Sequence, residues 1–122
     1  MNHTNINKET EENTNFRKVL WTGKFSQTVL MSLGPGEDIG LEVHKKTDQF
    51  IRIEKGHGIV ILDGHKVELK PGDAISINAG QKHNILNVNL NGKPYKNSLK
   101  LYTVYSGVIL HKPDEIERIK VI

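Results

Sequence analysis

Gly36-Glu-Asp-Ile-Gly-Leu-Glu42-Val-His44-Lys-Lys-Thr-Asp-Gln49-Phe50 sets three side chains able to bind a metal, Glu42, His44 and Gln49, within eight residues of strand-like sequence. On a strand, residues two apart point to the same face, so Glu42 and His44 offer an oxygen and a nitrogen to one volume. The same alternation continues beyond them. Gln49, Ile51 and Ile53 share one face, while Phe50, Arg52 and Glu54 share the other. Gln49 is thus aligned with core residues, where an unpaired amide costs about 1–3 kcal/mol. Further on, His83, Ile85 and Asn87 share a face by the same logic, and His83 needs a partner too. One shared ion satisfies both.

Outward from this stretch, the pattern from Phe16 is period two, β-branched, and broken by turn residues every eight to twelve positions, which predicts an all-β sandwich or barrel. Expected strands are Arg17–Trp21, Gln27–Leu33, Ile39–His44, Gln49–Lys55, Gly58–Leu62, His65–Leu69, Ala74–Ile77, His83–Val88 and Lys100–Ser106. Asp63-Gly64 is a two-residue hairpin signal, since both residues tolerate positive φ. Lys70-Pro71-Gly72-Asp73 fits a type II turn, and Asn91-Gly92-Lys-Pro94 an exposed hairpin tip. Only Pro113–Ile119 reads as a short helix, with Asp114 and Glu115 suited to its first turn.

The 122 residues, 36% apolar and 25% charged, have the size of one domain, and no apolar run approaches the roughly 18–20 residues that cross a bilayer. No membrane association is expected. Residues 1–15 are polar and rich in Asn, without a basic start or apolar stretch, and read as a disordered leader on a cytoplasmic protein, ahead of one domain over 16–122. With no cysteine, disulfides, zinc–thiolate sites and cysteine nucleophiles are excluded, so a metal must be held by nitrogen and oxygen. The net charge of +3, from 17 basic and 14 acidic residues, is scattered rather than gathered in a stripe. No nucleic-acid partner is expected.

Two spacings carry a family resemblance. Gly36, five residues, Glu42-Val-His44, four residues, Gln49, six residues, Gly56 follows the first motif of the cupin superfamily, Gly-x5-His-x-His-x3–4-Glu-x6-Gly. Gly72, five residues, Asn78-Ala-Gly80, two residues, His83, three residues, Asn87 follows the second, Gly-x5-Pro-x-Gly-x2-His-x3-Asn. Every spacing is kept. Three positions depart from the pattern: Glu42 stands for the first His, Gln49 for the Glu, and Asn78 for the Pro. The chain also resembles a group of small single-domain bacterial cupins, some labelled mannose-6-phosphate isomerase-like, in which the Glu and Gln are usual. The resemblance implies a double-stranded β-helix, the jelly-roll cupin barrel.

It also implies one divalent metal ion (Fe, Mn, Ni or Zn) bound by Glu42, His44, Gln49 and His83. Two imidazoles and one carboxylate suit any of these ions, and Gln49 adds a neutral amide oxygen. Glu42 is a ligand or a general base, and is the candidate catalytic residue. The implied function is metal-dependent oxygenation or isomerisation of a small oxygen-rich molecule such as a sugar derivative; the alternative is a non-catalytic sensor or binding module for such a small-molecule ligand. The fold hosts both. Small cupins commonly pair through sheets, so a homodimer is expected.

Other candidates read more simply. His57 and His65 lie in or beside turns and are expected in solvent; His3 falls in the leader and His111 near the tail, all outside the motif register. Asn87 is expected to tie backbone. Tyr102 and Tyr105 lie on opposite faces of one strand, so that one of them can reach the interior. Trp21 and Phe25 are assigned to core or dimer contact rather than to a ligand platform.

Overall fold

The structure, a computed structural model, describes residues 2–107, 111–112 and 115–117. Helix α1 covers Ile6–Glu12, and strands follow as β1 (Arg17–Thr22), β2 (Ser26–Leu33), β3 (Thr47–Lys55), β4 (Gly58–Leu62), β5 (His65–Leu69), β6 (Ala74–Ile77), β7 (His83–Leu86), β8 (Leu99–Gly107) and β9 (Ile116–Glu117). They form two antiparallel sheets, ordered β6-β3-β8-β2-β1-β9 and β5-β4-β7. This is the jelly-roll architecture. Among the described residues no helix is long and apolar enough to cross a membrane.

Turn chemistry sets the strand ends. Asp63 (φ 48°) and Gly64 (φ 85°) both take the left-handed conformation that a two-residue hairpin between β4 and β5 requires. At Lys70–Asp73, the Asp73 amide donates to the Lys70 carbonyl at 3.1 Å, with Gly72 at φ 93°. The Asn78-Ala-Gly80 variant also turns. The Gln81 amide reaches the Asn78 carbonyl at 3.0 Å and Gly80 takes φ 86°.

Registers across the large sheet arrange its inner face in rows. Gln27, Tyr105, Gln49 and Ile77 form one, Val29, Thr103, Ile51 and Ile75 the next, and Met31, Leu101 and Ile53 a third. The first row is largely polar yet buried, and the third is wholly apolar. Burying each large aliphatic side chain contributes about 1.5–3 kcal/mol, so the apolar rows hold the sheets together while one end of the interior stays polar.

Four expectations are corrected, the last in part. Ile39–His44 is not a continuous strand: Asp38 faces Leu86 and Glu42 faces His83 in isolated bridges, four residues against three, with the extra residue taken up where Gly40 turns to φ 87°. Residues 1–15 are not disordered throughout, because α1 forms there. The Asn5 side chain caps it by accepting from the Lys8 amide at 2.9 Å, and Thr10 is buried against the sheet. At seven residues, α1 is too short to persist alone and depends on its contacts with β8, β3 and β2. Within Pro113–Ile119, Ile116–Glu117 is a strand that covers the β1 edge, tied by an Arg17–Glu117 ion pair at 2.7 Å; residues 113, 114, 118 and 119 lie outside the described residues. Trp21 (43%) and Phe25 (72%) are exposed rather than in the core.

Gly56, the closing glycine of the first spacing, combines φ 86° with a packed site, since a Cβ there would lie 2.4 Å from the Ser98 carbonyl oxygen. Gly80 has the same φ with open space around it. Gly80→Ala is expected to cost about 1–2 kcal/mol through backbone strain alone. Gly56→Ala is expected to cost at least about 3 kcal/mol, as strain and overpacking add. Urea unfolding of both variants checks the order, and equal losses would contradict the close approach at Gly56.

Candidate metal centre

Glu42 and His83 are brought together by backbone geometry. The Glu42 amide donates to the His83 carbonyl at 2.9 Å and the His83 amide returns to the Glu42 carbonyl at 3.0 Å. A hydrogen-bonded antiparallel pair puts its two side chains side by side on one face. His44 joins them by the two-residue alternation, with exposed Val43 pointing the other way. The Gly80 amide fixes the His44 carbonyl at 2.8 Å. One ligand atom from each of Glu42, His44 and His83 lies within 4.8 Å of the others, a spread that one ion can bridge.

The protonation pattern suits metal binding. His83 Nδ1 stands 3.0 Å from the Gln81 carbonyl, which makes it the donor and leaves Nε2 with a free lone pair. That Nε2 is buried and has no hydrogen-bond partner. His44 Nε2 is buried as well, 3.1 Å from Glu42 Oε2, an ion-pair distance without the alignment of a hydrogen bond. Gln49 donates its Nε2 to Thr103 Oγ1 at 2.9 Å, and its Oε1 is buried and unpaired. His83 Nε2 and Gln49 Oε1, buried without partners, would cost about 1–3 kcal/mol each, and His44 Nε2 meets only the Glu42 carboxylate. The residues present therefore fit a divalent ion.

Tyr105, beside Gln49 in the first row, meets the His44 ring edge-on at 5.9 Å between centroids. Burial, with Glu42 adding to it, pushes its phenol pKa far up, so it is a neutral hydroxyl. Tyr102 takes the outer face. Asn87 does the structural work expected of it, donating from Nδ2 to the carbonyls of Leu33 and Asn97, both at 2.9 Å.

The sequence matches the Cupin domain family over residues 29–91, which contain all four of these candidate ligands. The chain is a cupin. It is similar to the uncharacterised YrkC protein of Bacillus subtilis, 46% identical over 108 residues, covering 84% of this chain and 55% of that relative. An uncharacterised protein of Acanthamoeba polyphaga mimivirus is 42% identical over 116 residues, covering 93% of this chain and 69% of that one. The chain thus spans little more than half of the Bacillus subtilis relative. The crystal structure of BH2720 from Bacillus halodurans superposes with a TM-score of 0.86 at 37% identity, over 95% of this cupin and 87% of that chain.

Sequence reasoning placed His111 outside the site, and the structure places it at the site's edge. Its ring lies 5.5 Å from that of Tyr105, and its Nδ1 is 2.8 Å from Glu115 Oε2. Gln27 pins the segment, accepting from the His111 amide at 3.2 Å and donating to its carbonyl at 2.9 Å. The only trace in the sequence is Gln27 itself, a polar residue at an inward position of β2. His57 and His65 are exposed, as expected.

Burial lowers the pKa of His44, opposed in part by Glu42; burial also lowers that of His111, with Arg17 adding to the effect. Both imidazoles therefore favour the neutral form in the folded state. Their contribution to stability is fully present above the unfolded value of about 6.5 and is lost as pH falls below it, because the unfolded chain takes up protons first. Metal-free protein is expected to unfold at lower urea at pH 5.5 than at pH 7.5. A midpoint that stays level or rises on acidification would contradict these burial effects.

Proposed function

We propose that this cupin holds one divalent ion through Glu42, His44 and His83, with Gln49 Oε1 as a fourth donor, and carries out metal-dependent chemistry on a small oxygen-rich molecule. The observation that carries this reading is the convergence of one ligand atom each from Glu42, His44 and His83 within 4.8 Å, with His83 Nε2 buried and unpartnered among them. Thiolate is absent, so the set favours Fe(II), Mn(II), Ni(II) or Zn(II).

An ion so bound would act as a Lewis acid toward a substrate oxygen. The chain's own residues do the rest. The Gln81 carbonyl holds the His83 tautomer, Thr103 orients the Gln49 amide, and the neutral Tyr105 hydroxyl can donate to a polar ligand. Replacing a carboxylate by Gln49 leaves Glu42 as the single negative ligand and a net charge near +1 at the site, favourable to an anionic or hydroxyl-rich ligand. Two imidazoles and one carboxylate support oxygenation as the reaction class. Isomerisation is a second reading, favoured by a histidine–glutamate pair at the cluster's edge that can move protons.

Elemental analysis of purified protein, after separate incubation with Fe(II), Mn(II), Ni(II) and Zn(II) and dialysis, is expected to give near one metal per chain with at least one ion. His83→Ala and Glu42→Ala are each expected to weaken binding about tenfold or more. Metal at a fixed concentration is also expected to raise the melting temperature of the wild-type chain more than that of these variants, since stabilisation falls as affinity falls. Unchanged metal content in both variants would overturn the assignment.

A further inference from the structure

The interior holds one more imidazole nitrogen that nothing satisfies. His111 Nε2 is buried and has no hydrogen-bond partner, while its Nδ1 is 2.8 Å from Glu115 Oε2. A carboxylate on Nδ1 fixes the proton there and leaves Nε2 as the basic atom, and the same carboxylate stabilises the imidazolium once Nε2 takes a proton. The ring is not a loose tail group. It packs 5.5 Å from Tyr105, which packs 5.9 Å from His44, and both hydrogen bonds from its backbone go to buried Gln27.

We propose that His111, oriented by Glu115, is the proton acceptor of this metal centre: Nε2 takes a proton from a water molecule presented at the Glu42–His44–His83 cluster. In that step the water O–H bond breaks, its electron pair stays on oxygen, and the proton forms the Nε2–H bond. The inference rests on the reading of the cluster as a metal centre. Charged and titratable groups face His111 from each neighbouring element: Arg17 from β1, Tyr105 from β8, Glu42 and His44 from the segment before β3, and Glu115 from its own segment. Arg17 and burial together keep the free imidazole neutral, which is the form able to accept. Glu42 and Glu115 favour the charged product, so the environment supports both states.

The test uses the full chain loaded with Co(II) alone, whose visible spectrum reports ionisation of bound water over about pH 6 to 9. Metal content is measured on the same samples. The wild type is expected to show a single spectral transition, and His111→Gln to raise its midpoint by about one unit, because glutamine accepts a hydrogen bond but not the proton. Glu115→Gln, at a partly exposed position, is expected to move the midpoint the same way by less, and covers the case in which the histidine variant does not fold. A merely structural His111 would leave the midpoint in place. Full Co(II) occupancy with midpoints within about 0.2 units of wild type in the folded variants would overturn the role of His111 and leave the metal centre standing. Failure of the wild type itself to take up Co(II) or any of Fe(II), Mn(II), Ni(II) and Zn(II) would overturn both.

Discussion

The paired backbone hydrogen bonds between Glu42 and His83 are the constraint on which the site depends. They join two residues 41 positions apart and set a carboxylate beside an imidazole on the inner face. Neither side chain has to search for the other. The Gly40 bulge lets the chain shift by one residue just before this pair, so that Ile39 packs in the core while Glu42 still faces inward. Around the pair, the Gly80 amide holds His44 through its carbonyl, and Asn87 fastens the end of β7 to Leu33 and Asn97. Small backbone devices thus position every donor.

The interior is divided between stability and chemistry. Two rows built mainly of valine, isoleucine, leucine and methionine fill the far end of the barrel, while Gln27, Gln49 and Tyr105 share the row nearest the imidazoles. A core designed only for stability would not bury this many polar atoms or leave several unpaired. The cost falls on the metal-free state. It is recovered when a ligand supplies the missing partners, which links metal binding to folding stability.

Much of this was legible in the sequence because spacing and period act locally. Alternation assigned Gln49, His83 and Asn87 to the inner face, and the Asp63-Gly64 and Pro71-Gly72 turns fixed the ends of β4, β5 and β6. The motif register then put Glu42, His44 and His83 in one place. What the sequence hid depends on distant contacts. The Asn-rich start forms α1 because a capping Asn5 and a ready-made sheet surface outweigh poor helix propensity. Ile116–Glu117 pairs with β1 because that edge has free backbone groups, which overrides the acidic residues that favour a helix start. His111 lay outside any motif, and its placement comes from Gln27, Glu115 and Tyr105, none of which marks it by spacing.

The central claim is that the two imidazoles and the Glu42 carboxylate bind one ion together. X-ray absorption at the metal edge of the zinc-loaded chain addresses this most directly, because outer-shell scattering from imidazole rings counts the histidine ligands. The result expected is a first shell of nitrogen and oxygen at about 2.0–2.2 Å with two imidazoles in wild type, reduced to one in His83→Ala. A shell without imidazole scattering, or one unchanged by that substitution, would contradict it.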